Sequence, residues 1–258
     1  MVIKMTQSTR FGMVMGSLLI GLIFQGTAFA APAINKPVRL DGWYTRLGFG
    51  LGRSISGGNQ TVNLTSDIKG VYENANPDTA GFLVLGEGYR WNVSNHWQLG
   101  VDIQLNAIDY GQTDGTTYRQ LEPVQINSDP LGYRYRANSY ALFGNVDISW
   151  WRTDKSYITL STAVGSALNR LSDYTEYTLP NSSAAPMPES FLDTTTNSFA
   201  YALGLSAGYA FNHHVAIEFG YRYINTGNAN FSPPSGINND LSVGTLSAHM
   251  LFMNLLFS

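Results

Sequence analysis

Eleven residues, from Trp97 to Ala107, are apolar at every odd position and polar or glycine at every even one. Trp97, Leu99, Val101, Ile103, Leu105 and Ala107 share one parity, and Gln98, Gly100, Asp102, Gln104 and Asn106 share the other. Side chains on a strand alternate between faces, so this segment has one oily side and one wet side. About ten such residues, tilted, are enough to cross a bilayer.

Seven other segments repeat the pattern: Trp43–Leu51, Phe82–Trp91, Tyr140–Trp150, Ile158–Leu168, Phe199–Phe211, Val215–Tyr223 and Val243–Phe257. The stretches between them alternate in length. Ser54–Asp78, Asp109–Pro130, Asn169–Thr196 and Asn225–Asp240 are long and polar, while Asn92–His96, Arg152–Lys155 and Asn212–His214 are short. Long connections at one end and tight turns at the other mark an outer-membrane barrel, with short periplasmic turns and long extracellular loops. The fold expected is therefore all-β: an eight-stranded antiparallel up-and-down transmembrane barrel. Glu87 interrupts the second strand, sharing a face with Leu83, Leu85, Tyr89 and Trp91. Either a bulge re-aims it or the register differs there.

The N-terminus reads as a secretion signal over residues 1–30. Lys4 and Arg10 supply the positive start, Phe11 to Phe24 is mostly apolar, and Ala28-Phe29-Ala30 fits the small-x-small cleavage rule. A short lead over 31–41 precedes the barrel at 42–258. Past the signal there is no run of about 18 apolar residues, so no spanning helix is expected. Losing Lys4 and Arg10 leaves 13 basic against 18 acidic side chains, a charge of −5. That balance argues against nucleic acid as a partner. With no cysteine, a secreted chain of this size must be held by packing or by a membrane.

The tryptophans give a second line of argument. If the first strand starts in the periplasm, Trp43, Trp91, Trp97, Trp150 and Trp151 fall at one height with Tyr209 and Phe211. Amphipathic rings prefer the membrane interface, so these seven form an expected girdle.

Gly86-Glu87-Gly88-Tyr89-Arg90-Trp91 carries a family likeness, as does Gly208-Tyr209-Ala210-Phe211 followed by Glu218-Phe219-Gly220-Tyr221-Arg222-Tyr223. These strand pairs resemble those of small eight-stranded outer-membrane proteins of the opacity-protein, outer membrane protein A and outer membrane protein X types. The likeness covers the whole mature chain as a pattern. It departs from the family in ending Leu255-Leu256-Phe257-Ser258, not on the aromatic itself, and in having no peptidoglycan-binding domain after the barrel.

Such a barrel is just wide enough to be filled by its own side chains. The inward residues include Arg46, Arg90, Asp102, Asp147, Glu218 and Arg222. They are expected to form an ion network centred on Arg46 and Arg222, because buried charges need partners. That network reads as structural filling. No catalytic, cofactor-binding or metal site is assigned. His96, His213 and His214 fall in turns, and the pair has no spaced carboxylate or cysteine to complete a metal site. His249 with Asp109 or Asp173 is the one rim triad that can be constructed. Triplets such as Asn63-Leu64-Thr65 read as polar loop residues. The partners implied are outer-membrane lipid and a host or surface ligand held by the loops, with the protein a monomer. The function expected is structural or adhesin-like; the alternatives are a narrow pore for small solutes and a lipid-modifying enzyme with a rim site.

Overall fold

The alternation is realised as strands that each find a neighbour on both sides. The computed structural model describes residues 40–55, 59–76, 79–121, 126–151, 153–187, 191–234 and 239–258; the expected signal peptide and most of the lead lie outside the described residues. Among the described residues the strands are β1 Gly42–Ile55, β2 Gln60–Asn63, β3 Ile68–Asn76, β4 Thr79–Asn92, β5 Trp97–Leu121, β6 Ile126–Asn127, β7 Leu131–Trp151, β8 Ser156–Thr178, β9 Thr194–Ala210, β10 Val215–Phe231 and β11 Leu241–Phe257.

Eight of them close a ring, in the order β1, β4, β5, β7, β8, β9, β10, β11 and back to β1, every pair antiparallel. The seam between first and last strands runs from Thr45 opposite Phe257 to Ile55 opposite Ser247. Closure leaves no unpaired edge in the ring. The short turns are capped by side-chain oxygens. Ser94 Oγ accepts from the amides of His96 and Trp97, Thr153 Oγ1 from Lys155 and Ser156, and Asn212 Oδ1 from His214 and Val215. Ser, Thr and Asn favour tight turns for this reason.

Near the short turns, the proximal part, the outward face is apolar. Leu105 is 58% exposed, Ile103 65% and Phe219 55%, while their neighbours Gln104, Asp102 and Glu218 are buried. Leu99 is half-buried, and Val101 and Tyr221 are exposed. The oily side faces away from the enclosed middle.

Three strands run far past the length a membrane needs. β5, β7 and β8 have 25, 21 and 23 residues, against roughly ten for a crossing. The long connections are correspondingly shorter than the sequence reading expects. β3 pairs with β5 from Ile68 opposite Leu121 to Asn76 opposite Asp114, and β2 pairs with β3, so part of the first connection is a hairpin added to the wall. In this distal part the polarity of the faces is inverted: Tyr133, Tyr135 and Ala137 point inward and are buried, while Arg134 and Arg136 are exposed. A search for apolar residues facing out stops where this inversion begins.

Candidate functional site

The interior is layered. At the short-turn end Leu40, Tyr44, Trp151, Tyr157, Ala210, Ala216 and Leu256 pack as an apolar floor. Trp151 is 1% exposed and lies 4.6 Å from the Tyr157 ring. It therefore belongs to the lumen and not to the outward girdle, a correction that alternation demands, since adjacent Trp150 and Trp151 cannot share a face. Trp43, Trp91, Trp97, Trp150, Tyr209 and Phe211 all point outward and are exposed. Trp97 and Trp150 sit opposite in register, with rings stacked at 6.2 Å.

Above the floor lie the charges. Arg46 pairs with Asp102 at 3.1 Å and with Asp147, and Arg90 reaches Asp147 at 3.3 Å and Glu218 at 3.1 Å. All five side chains are within 3% of fully buried. Tyrosines on the floor complete the arrangement. Tyr44 donates its hydroxyl hydrogen to Asp102 at 2.5 Å, and Tyr157 donates to Glu218 at 3.1 Å. Asn145 donates to Asp147 at 2.9 Å, and Gln104 to Asp102 at 2.8 Å. The shared hub is thus Asp147, flanked by Arg46 and Arg90. Arg222 is not a centre: it donates to Gln104 Oε1 at 2.9 Å and lies 5.7 Å from the Phe143 ring centroid, one layer away. Sequence reasoning overlooked Tyr44 and Tyr157. Their signal was available, because Tyr44 has the same parity as Arg46.

A third layer is apolar and then aromatic. Phe82, Val84, Phe143, Ile224 and Met250 continue into Tyr72, Tyr133, Tyr135, Tyr174, Phe191 and Phe231. The distal rings meet edge-on or stacked at 5.2 to 6.5 Å, geometries that aromatic quadrupoles favour. Above them the connections are fastened. Asp129 accepts from the amide and hydroxyl of Ser183 at 2.9 and 2.6 Å, tying the approach to β7 to the stretch after β8. Those two bonds hold the Asp129 carboxyl below its ordinary range. Glu176 accepts from Arg119, from the Tyr174 hydroxyl at 2.9 Å and from the Met187 amide at 3.2 Å. Leu192 and Ser232 form a bridge between the last two connections.

Glu87 points outward and is exposed, and the register around it is continuous, Thr45 on one side and Ile103 on the other. Neither a bulge nor a shifted register is present. The rim triad does not assemble. His249 faces outward on β11, while Asp109 on β5 and Asp173 on β8 are exposed and each stand three strands away around the ring. His214 Nδ1 sits 3.0 Å from the carbonyl oxygen of Ser258, the residue after β11. Among the described residues no three metal-ligating side chains converge.

The model of the outer membrane protein beta-barrel domain family matches residues 26–250. Outer membrane protein PagN of Salmonella typhimurium is 28% identical over 166 residues, which are 60% of this chain and 63% of that protein. The chain thus aligns with a little under two thirds of that relative's length. Among solved structures, Neisserial surface protein A has a TM-score of 0.44 at 12% identity, covering 84% of this chain and 96% of that one. The outer membrane protease OmpT from Escherichia coli has the same TM-score at 10% identity, covering 83% and 96%.

Proposed function

The chain belongs to the outer membrane protein beta-barrel domain family, integral to the cell outer membrane, and on that footing we propose that it is a closed scaffold presenting a surface-interaction, adhesin-like element. One observation carries this reading. The wall does not end at the membrane edge but continues as a built unit, with strands of up to 25 residues, an inner aromatic core and fastened connections. Ordering that much chain costs about 1–2 kcal/mol per residue. A solute pore gains nothing from it, whereas a binding surface needs rigid, water-facing side chains. The long connections face the outside and the short turns the periplasm. The outward rings Trp43, Trp91, Trp97, Trp150, Tyr209 and Phe211 then lie at the inner interface.

The ionic layer is structural and the lumen does not conduct: apolar layers stand on both sides of it, and Arg90 and Asp147 are wholly buried. The protein acts as a monomer, since every ring strand already has two partners. It acts without catalysis; the outward histidine packs on Tyr221 and Tyr223, three strands from Asp109 and Asp173. Its ligand is a host or surface molecule bound by the distal unit.

The test compares cells displaying the full chain with cells displaying a variant whose residues 59–76 are replaced by a short Gly-Ser linker. The full chain should raise attachment to epithelial monolayers severalfold, and the variant should lose that gain while keeping the folded barrel's gel mobility. No gain from the full chain contradicts the surface reading. Stepwise conductance in planar bilayers contradicts the closed lumen.

A further inference from the structure

One patch on the outer wall is used by none of the above. Arg53 on β1 stands opposite His249 on β11, and both side chains are exposed on the outward face. Their flanking neighbours Ser54, Ala248 and Met250 are buried, which fixes the direction of the pair. Cross-strand partners lie about 5 Å apart at Cβ. Gly52 tightens the seam beside them, where a Cβ would collide with the His249 carbonyl oxygen.

Tyrosines frame the histidine. The Tyr221 hydroxyl and His249 Nδ1 share a hydrogen bond. That bond engages Nδ1, and Nε2 is the second ring nitrogen through which the imidazole can meet a ligand. The ring stacks on Tyr221 at 5.8 Å and leans on Tyr223 at 5.2 Å. Asn225 then donates to the hydroxyls of Tyr223 and Tyr201, each at 3.4 Å. A guanidinium, an imidazole and phenol hydroxyls therefore share one outward face across β1, β11, β10 and β9.

These four strands present no acid on this face. The only carboxylate in those four strands is Glu218, and it points into the lumen. Glu87 on β4 pairs with Thr45, eight residues below Arg53, and the exposed Asp109 stands on β5, two strands from β1 and level with Leu51.

Height decides what such a face meets. Arg53 follows the rim residue Trp43 by ten residues on the same strand. At about 3.3 Å per residue and roughly 40° of tilt, that is about 25 Å of vertical rise, the thickness of an outer-membrane apolar band. The pair therefore sits where hydrocarbon ends and head groups begin, on the side of the long connections. Arg there matches phosphate through two parallel N–H donors, and hydroxyls and the imidazole complete the shell.

We propose that Arg53, His249 and Tyr221, framed by Tyr223 and Tyr201, form a binding site for the phosphate of an anionic outer-leaflet lipid. The site fixes the height and rotation of the barrel at the seam between its first and last strands. It uses the orientation given under the proposed function, but the test is made on purified protein and so reads the site independently of sidedness.

Purified full chain in neutral detergent is titrated with bis-phosphorylated lipid A, with the same lipid dephosphorylated, and with phosphatidylcholine, and bound lipid is counted by native mass spectrometry. Wild type should retain the phosphorylated lipid at least tenfold better than either control. The R53Q/H249Q double variant should lose that preference, and R53K, which keeps the charge but not the two parallel donors, should keep only part of it. Equal retention of phosphorylated and dephosphorylated lipid by the wild type overturns the site, whatever the variants do. An unchanged preference in a correctly folded double variant overturns it as well.

Discussion

Along β7 the two faces exchange chemistry within a few residues. From Trp150 back to Tyr140 the outward side chains are Ile148, Val146 and Leu142; beyond Tyr140 they are Asn138, Arg136 and Arg134. The inward side makes the opposite change, from Asp147 and Asn145 near the short turns to Tyr135 and Tyr133 at the far end. One strand thus meets hydrocarbon outside and ions inside in its proximal half, then water outside and rings inside in its distal half. The backbone is the same in both. The solvent on each side decides which side chains it tolerates. The proximal half is held by charge pairing in a buried interior, and the distal half by ordinary hydrophobic burial.

The largest effect that would break this contrast comes from the hub. Asp147→Ala strips a partner from both Arg46 and Arg90 and leaves two buried cations short of compensation. Removing one partner of a buried pair costs about 3–5 kcal/mol, and the thermal midpoint of the folded barrel in detergent should fall sharply. In the distal half, Phe231→Ala deletes a ring that touches Tyr135 and Tyr174. The loss is about 3 kcal/mol, but it should be local. Limited proteolysis should open the connections while the proximal wall keeps its gel mobility. If both variants unfold the entire molecule together, the two halves are one cooperative unit.

The clasp between connections sharpens the distal side of the comparison. The carboxyl of Asp129 is held below its ordinary range by Ser183, so its contribution is present above the unfolded value of about 3.9. It is lost as the pH falls through the lowered folded value. Protection of the Ser183 amide hydrogen, measured against the intrinsic exchange rate at each pH, should persist from pH 7 downwards and fall only under strongly acid conditions; a loss of protection near pH 6 would place the clasp elsewhere. The smallest effect is that of Arg134→Gln. Its ion pair with Asp114 at 3.3 Å is half-exposed, so stability should change by about 0.5 kcal/mol or less, and less still in high salt.

The proximal half was legible because its pattern is unusual: apolar outward over a wet interior gives long clean alternations such as Trp97 to Ala107. The ionic residues followed from the same parity. What parity cannot give is reach across the lumen. Arg90, not Arg222, joins Asp147, because side-chain length and strand stagger decide which heights meet. Position along the chain puts adjacent Trp150 and Trp151 both at the rim, although alternation sends one of them inside. The distal half was read as loop because its alternation is polar outward and is broken by Gly and Asn. The bulge at Asn225 and Gly227 in β10, where Gly227 has φ of 80°, is one such break. The hairpin of β2 and β3 depends on β5 extending to Leu121, and no local signal records that.

The central claim is the inversion of solvent between the two halves, and the absence of native cysteine makes it directly measurable. Single cysteines at Ile103 and at Arg134, spin-labelled in the reconstituted protein, would be read for collision with oxygen and with a water-soluble nickel chelate. The account predicts that the label at 103 meets oxygen and not the chelate, and that the label at 134 does the reverse. Equal access of the chelate to both positions would contradict it.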